Sequence, residues 1–431
     1  MINSQKLNGL INYLLPVFLI YFSIFQYKYF GIFILVIFLI KNYLKIEIID
    51  SIFYKYYPLL FYSLKFIFNL SENFNFFHKS SIQLNYYEKA RFLDLQNLFL
   101  ELVCNSGSNF THIFKFDHNY VLSCPYKNYW GPISTILNLN NINIWISTLL
   151  LSCAALIMLA WLYLSEYKKL NKNQFLLFAI SISPPVNFLI DRMNIDIFIF
   201  LITFILLKNI ERNLIFKLIT LSIFTLYKLH PLVIFFSIFI YFYLKRQKKE
   251  SLITLFFAIV NSIIIFNFYS KNDFLTARPY LSYRSFGVLS DATFISKFLN
   301  SEIISYLLLI LFLIILTNFI YKSLEKKEYE LNSIFFNISS WFIGVSMYSN
   351  YDYRIPILLF ILLQLFRLDI DLLNVSLLIF VFLSPFPIST TYIYLIDSNI
   401  FSNNFVDVSL YIILGYLISI QYLTIKTMRK P

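Results

Sequence analysis

The chain has 431 residues, of which 59% are hydrophobic, 20% aromatic and only 13% charged, with a formal net charge of +12. Apolar runs of near-membrane length recur from end to end. They leave almost no room for a soluble domain and predict an all-α fold, a polytopic transmembrane helical bundle. The positive charges fall in short stretches between the apolar runs, as orientation signals do, so the excess does not point to nucleic acid.

Taken in chain order, the apolar runs are 10–25, 30–44 and 53–70, then a polar stretch of 71–144, then 145–164, 175–190, 195–207, 215–227, 232–244 and 252–269. The series continues with 303–321, 334–347, 355–365, 373–385 and 408–425. These make about fourteen crossings, several shorter than the ~20 residues that a perpendicular helix needs, so the short ones tilt or enter partway. No small-residue cleavage site follows the first run, which is expected to remain as an anchor. The whole of 1–431 reads as a single integral membrane domain, with 71–144 as its first long loop.

Basic clusters set the expected orientation. They are "KNYLK" (41–45), "EYKKLNK" (166–172), "KNIER" (208–212), "KRQKK" (245–249), "KSLEKK" (322–327) and "KTMRK" (426–430). With a cytoplasmic N-terminus every one of them falls on the cytoplasmic side, as the positive-inside rule requires. The segments 71–144, 190–195, 270–302, 348–354 and 386–407 then face outward. This orientation suits a multi-pass protein of a bacterial inner membrane with both termini in the cytoplasm.

Several outward segments carry chemistry. In the first loop, "EKARFLDLQNLFLELVCN" (88–105) spaces its apolar residues as an amphipathic surface helix would, and Asp94 stands among Phe92, Leu93 and Leu95. A carboxyl in apolar surroundings can serve as a proton acceptor near neutrality, and an Asp at a helix start is equally favoured by the helix dipole alone. Cys104 and Cys124 share this loop; an oxidising outer face permits a disulfide between them, and two free thiols are the alternative. "CPYKNYWGP" (124–132) is a rigid aromatic turn at headgroup depth.

Further along, "SPPVNFLIDRMNID" (183–196) joins a helix-breaking Pro pair to Asp191, Arg192, Asn194 and Asp196. These could form a self-satisfying ion cluster, or bind hydroxyls through Asn and Asp and an anion through Arg. "LYKLHP" (226–231) adds Lys228 and His230, "TARPYLSYRSFG" (276–287) adds Arg278 and Arg284, and "NYDYR" (350–354) adds Arg354. Such a gathering of cations on the outward side departs from the positive-inside rule and predicts a site for a membrane-borne phosphate or pyrophosphate.

These motifs, in this order over roughly residues 90 to 356, resemble the GT-C superfamily of polyprenyl-phosphate-sugar-dependent glycosyltransferases. The nearest group is the glycosyltransferase family 87-like, mannosyltransferase-type integral membrane proteins. The resemblance rests on Asp94 in the first long loop, on "SPPVNFLIDRMNID", on "YKLHP", and on "YRSFG" and "YDYR". Met193 stands where the pattern has Gly. The resemblance implies transfer of mannose or a similar hexose, with inversion, from a polyprenyl-phosphate donor to a lipid-linked or envelope-glycan acceptor, as in cell-envelope polysaccharide biosynthesis. It makes Asp94 the catalytic base and gives the donor phosphate to Lys228, His230, Arg284 and Arg354. The sugar or acceptor falls to Asp191, Arg192, Asn194 and Asp196. No Gly-rich nucleotide-binding turn is present, in keeping with a lipid-linked donor. No carboxylate or His cluster has metal-like spacing, so no metal or other cofactor is expected. A polysaccharide polymerase or ligase would use much the same outward cations without the first-loop acid. A flippase for lipid-linked sugars would place its charges nearer mid-bilayer.

Overall fold

The computed structural model describes residues 52–78, 144–168, 174–183, 186, 189–190, 193–228, 230–271, 285–325, 333–347, 350–351, 355–365, 371–382 and 399–428. The expected runs at 10–25 and 30–44 and the amphipathic stretch at 88–105 lie outside the described residues. Within them the protein is helical apart from one two-residue ladder. In chain order the elements are α1 (Ile52–His78), α2 (Ile144–Tyr167), α3 (Gln174–Ser181), α4 (Asp196–Leu207), α5 (Leu214–Tyr227), α6 (Leu232–Leu244) and α7 (Lys248–Lys271). Then come β1 (Ser285–Phe286), α8 (Val288–Leu299), α9 (Glu302–Leu324), α10 (Ser333–Met347), β2 (Asn350–Tyr351), α11 (Ile355–Leu365), α12 (Asp371–Phe382) and α13 (Asn399–Met428).

Most apolar runs became helices because only a helix satisfies its own backbone where no water is available. Four of them, α2, α7, α9 and α13, are long and apolar enough to cross a membrane, while α4, α5, α6 and α10 are apolar but shorter. Their length and apolarity point to a membrane protein. Two helices outrun their apolar cores: α1 continues to His78 and α13 starts at Asn399. The run at 175–190 is instead interrupted. After Ser181 the backbone tightens, with Ile182 and Ser183 donating to the carbonyls three residues back. Pro184 and Pro185 follow and supply no N–H to continue the ladder.

The polar segment 270–302 holds a helix that hydropathy misses. Helix α8 follows Gly287 and closes on α9 through Asn300 in the left-handed conformation and Ser301, whose hydroxyl accepts from the Ile304 N–H. That is an ordinary N-cap, worth about 1 kcal/mol.

Hydrophobic burial cannot drive helix against helix in lipid, so close packing and polar contacts must. Gly344 of α10 lies so near Val233 of α6 that an added Cβ would come within 2.7 Å of Val233 Cγ1. Between the same helices Ser237 donates to Asn337 at 2.8 Å, and the Gln421 amide of α13 donates to both Ser339 and Ser340 of α10. Around these contacts Phe178, Phe200, Phe235, Phe242, Trp341 and Phe342 fill the interior. Helix α13 is largely enclosed, with 67% of its span buried, whereas α9 turns most of its surface outward, with 17% buried.

Contacts between elements mark two chemically different ends of the bundle. One end carries the described members of the basic clusters: Lys168, Lys208, Arg212, Lys245, Arg246, Lys248, Lys249, Lys322 and Lys426. Here Lys245 bonds Glu211 at 2.5 Å and Lys426 bonds Glu325 at 2.8 Å. The start of α4, the α5–α6 junction and the β1–β2 ladder lie at the other end.

Candidate functional site

At that second end the chain passes through a sharp local feature before α4. Met193 donates its N–H to the Leu189 carbonyl at 2.8 Å and adopts a positive φ of 46°. A helical turn is thereby closed by a left-handed residue, a position that Gly takes most easily and that costs another residue about 1 kcal/mol. The site of the Gly-to-Met departure therefore keeps the backbone conformation that Gly favours. Asn194 follows, and its side-chain oxygen accepts from the Asp196 N–H at 3.0 Å. This Asx turn starts α4 and aims Asp196 into the bundle, where it is 0% exposed.

A fully buried carboxylate needs a partner. His230, 34 residues later, provides one: its Nε2 lies 3.2 Å from Asp196 Oδ1. His230 reaches that place because α5 ends at Lys228, which turns extended at φ −141°, and Pro231 begins the next helix. The imidazole is 9% exposed. Its ring centre lies 5.6 Å from that of Phe200 and 5.5 Å from that of Trp341, and those two rings are 4.8 Å apart. The three rings form a compact triangle that restrains the imidazole. Trp341 is fully buried and its indole N–H has no hydrogen-bond partner. An unmet buried donor costs about 1–3 kcal/mol, so it is available to an oxygen of a bound group.

Lys228 is 8% exposed and caps α5, where a cation also complements the helix dipole. Residues Lys228, His230, Asn194 and Asp196, expected from the sequence, thus occupy one end of the bundle, and Asp196 and His230 touch. Asp94, Asp191, Arg192, Arg284, Arg354, Cys104 and Cys124 lie outside the described residues. The motifs that hold two of them do meet, since Ser285 pairs with Tyr351 and Phe286 with Asn350 in the antiparallel ladder. Gly287, which ends "YRSFG", has φ 117° and ψ 161°, a conformation open essentially to Gly alone. It turns the chain from β1 into α8, whose Asp291 accepts from Tyr411 at 3.1 Å.

Two residues of the site had no functional reading in the sequence. Phe200 lies four residues after Asp196, on the same helical face, and could have been found by that spacing. Trp341 sits in an apolar run, where nothing local distinguishes it from packing. Among the described residues no group of three His, Cys, Asp or Glu side chains could hold a metal ion. No protein-family model, curated protein or solved structure matches the chain.

Proposed function

We propose that the protein is a membrane glycosyltransferase of the GT-C kind, moving a hexose from a polyprenyl-phosphate donor to a lipid-linked or envelope-glycan acceptor. The observation that carries this reading is the buried Asp196–His230 pair beside the unmet Trp341 N–H, at the end of the bundle remote from the basic clusters. By the positive-inside rule that end faces outward in a bacterial inner membrane.

In the proposed reaction the acceptor hydroxyl attacks the anomeric carbon of the donor. The bond from that carbon to the phosphate oxygen breaks, its electron pair leaves with the polyprenyl phosphate, and the configuration inverts. Asp94 takes the hydroxyl proton. Lys228 and His230, with Arg284 and Arg354, hold the phosphate on which charge develops; preorganised cations there lower the barrier by several kcal/mol. Asp196 orients the imidazole through its contact with Nε2. Asn194, Asp191 and Arg192 stand on the sugar or acceptor side.

Transfer assays with the purified chain, a polyprenyl-phosphate hexose and a detergent-soluble acceptor test the reading. Asp94→Asn should reduce turnover at least ~10²-fold with donor binding little changed. Lys228→Ala should weaken donor binding about ten- to hundredfold by loss of a charge-assisted contact. Full activity in Asp94→Asn removes that residue as the base. Absence of transfer by the wild-type chain with any polyprenyl-phosphate hexose overturns the reading altogether.

A further inference from the structure

The antiparallel ladder of β1 and β2 is too small to hold its own place. So short a pairing is marginal unless a helix or further strands pack against it. Its position is therefore set by what it is attached to. Gly287 joins β1 to α8 without slack: the Asp291 N–H donates to the Gly287 carbonyl at 3.1 Å, so the first helical turn closes on the residue that follows the strand.

Helix α8 is held in turn by side-chain contacts to α9 and α13. The Thr293 hydroxyl donates to Glu302, at the start of α9, at 2.8 Å. The Tyr411 hydroxyl of α13 donates to Asp291, 120 residues away in sequence, at 3.1 Å. The rings of Tyr411 and Phe312 of α9 meet edge to face with centres 5.6 Å apart, so α8, α9 and α13 converge on this one hydrogen bond. Both of its partners are buried. The buried face of α8 reads Val288, Asp291 and Ala292, an i, i+3, i+4 stripe in which a carboxylate interrupts apolar residues. A carboxylate is costly to bury, and the contact with the phenol offsets that cost.

Arg284 immediately precedes Ser285, and Arg354 follows Tyr351 by three residues. Because Ser285 pairs with Tyr351 in an antiparallel ladder, the chain enters β1 and leaves β2 at the same end. Two guanidinium groups supplied from one end can hold one phosphate, provided that the ladder itself stands in a fixed place. We infer that Asp291 and Tyr411 are positioning residues for the donor phosphate: their hydrogen bond fixes α8, and through Gly287 the ladder that carries Arg284 and Arg354. The inference rests on the transfer reaction proposed above and names what holds two of its cations in register.

Tyr411→Phe keeps the ring that Phe312 meets and removes the hydroxyl. In the full-length chain in lipid nanodiscs, with a polyprenyl-phosphate hexose as donor, it should raise the donor KM about tenfold through the lost hydrogen bond. At saturating donor kcat should stay within about twofold, since no reacting group is touched. Asp291→Asn keeps an acceptor for the Tyr411 hydroxyl and should stay within about threefold of the wild-type KM. Asp291→Leu should match Tyr411→Phe, and the two together should do no more than either alone. Hydrogen exchange at the Phe286 and Asn350 amides should quicken in Tyr411→Phe, a readout that needs no transfer activity. Ser419→Ala removes another hydrogen bond of α13, to the Thr317 carbonyl of α9 at 3.0 Å, and should leave both KM and ladder exchange unchanged. An equal effect of Ser419→Ala would reduce the Asp291–Tyr411 contact to general helix packing and overturn the inference. A fall in kcat at unchanged KM overturns it too. No transfer by the wild-type chain fails the transferase reading; an active wild type with unchanged donor KM in Tyr411→Phe fails the positioning role alone.

Discussion

At the scale of single residues, the site depends on groups whose individual costs are visible. Trp341 contributes a ring to the triangle and an indole N–H with no partner. Trp341→Phe keeps a ring and removes the donor. Donor affinity should fall about five- to tenfold, as for one neutral hydrogen bond, while the melting temperature stays level or rises. A clear fall in melting temperature at unchanged affinity would make Trp341 a packing residue only. Met193 poses a different balance. Met193→Gly would relieve the left-handed backbone by about 1 kcal/mol, yet it would delete a side chain that is 1% exposed. Removing a buried side chain of that size costs about 2–5 kcal/mol, so the variant should be less stable despite the better backbone. Thermal unfolding in detergent decides between the two terms.

Between elements, the α6–α10 contact governs whether His230 and Trp341 keep their places, because His230 leads into α6 and Trp341 belongs to α10. Gly344 allows that contact: a Cβ there would lie 2.7 Å from Val233 Cγ1 and 2.9 Å from Cγ2. Val233 is β-branched and stiff at χ1, so the helices must separate instead. Gly344→Ala should destabilise the protein by about 1–3 kcal/mol and lower transfer activity at the same time. Adding Val233→Ala should restore much of both, since it clears the clashing methyls. Without that rescue in a double-mutant cycle, the coupling does not run through this contact.

On the scale of the whole molecule, charge separates the two ends. Labelling of a cysteine at Gln247 should require access from the cytoplasmic side, and one at Asn350 should label in intact cells with an impermeant reagent. The reverse pattern would invert the proposed orientation and place the Asp196–His230 site in the cytoplasm. The paired charges of the basic end contribute little to stability. Lys245, by its hydrogen bond to Glu211, holds that carboxyl below its ordinary 4.5. A depressed folded-state value gives stability that is present above the unfolded value and is lost as pH falls through the folded one. The wild-type advantage over Glu211→Gln should therefore be constant near neutrality, shrink below pH 4.5 and vanish once Glu211 is protonated. Because the pair is exposed, that advantage should stay under ~1 kcal/mol and decline with salt.

Hydropathy read along the chain determined most of the helices, because a backbone without water must close its hydrogen bonds locally and an apolar run is a local property. Helices α6 and α11 match their expected bounds of 232–244 and 355–365 residue for residue. The basic clusters were equally legible, since charge in short connections needs no tertiary knowledge. Helix α8 was not, as its amphipathic pattern lies in a polar segment with no long apolar run. The paired charges could not be matched either. Sequence spacing grouped Asp196 with its near neighbours Asp191 and Arg192, and gave no sign that the folded chain also brings its carboxylate to His230 from the next helical junction. Trp341 joins from 111 residues beyond His230. The contact of Asp291, in a polar segment, with Tyr411, in an apolar run, was likewise hidden. Which polar group meets which depends on how helices pack side by side, and a one-dimensional pattern specifies each helix's face without naming the helix that covers it.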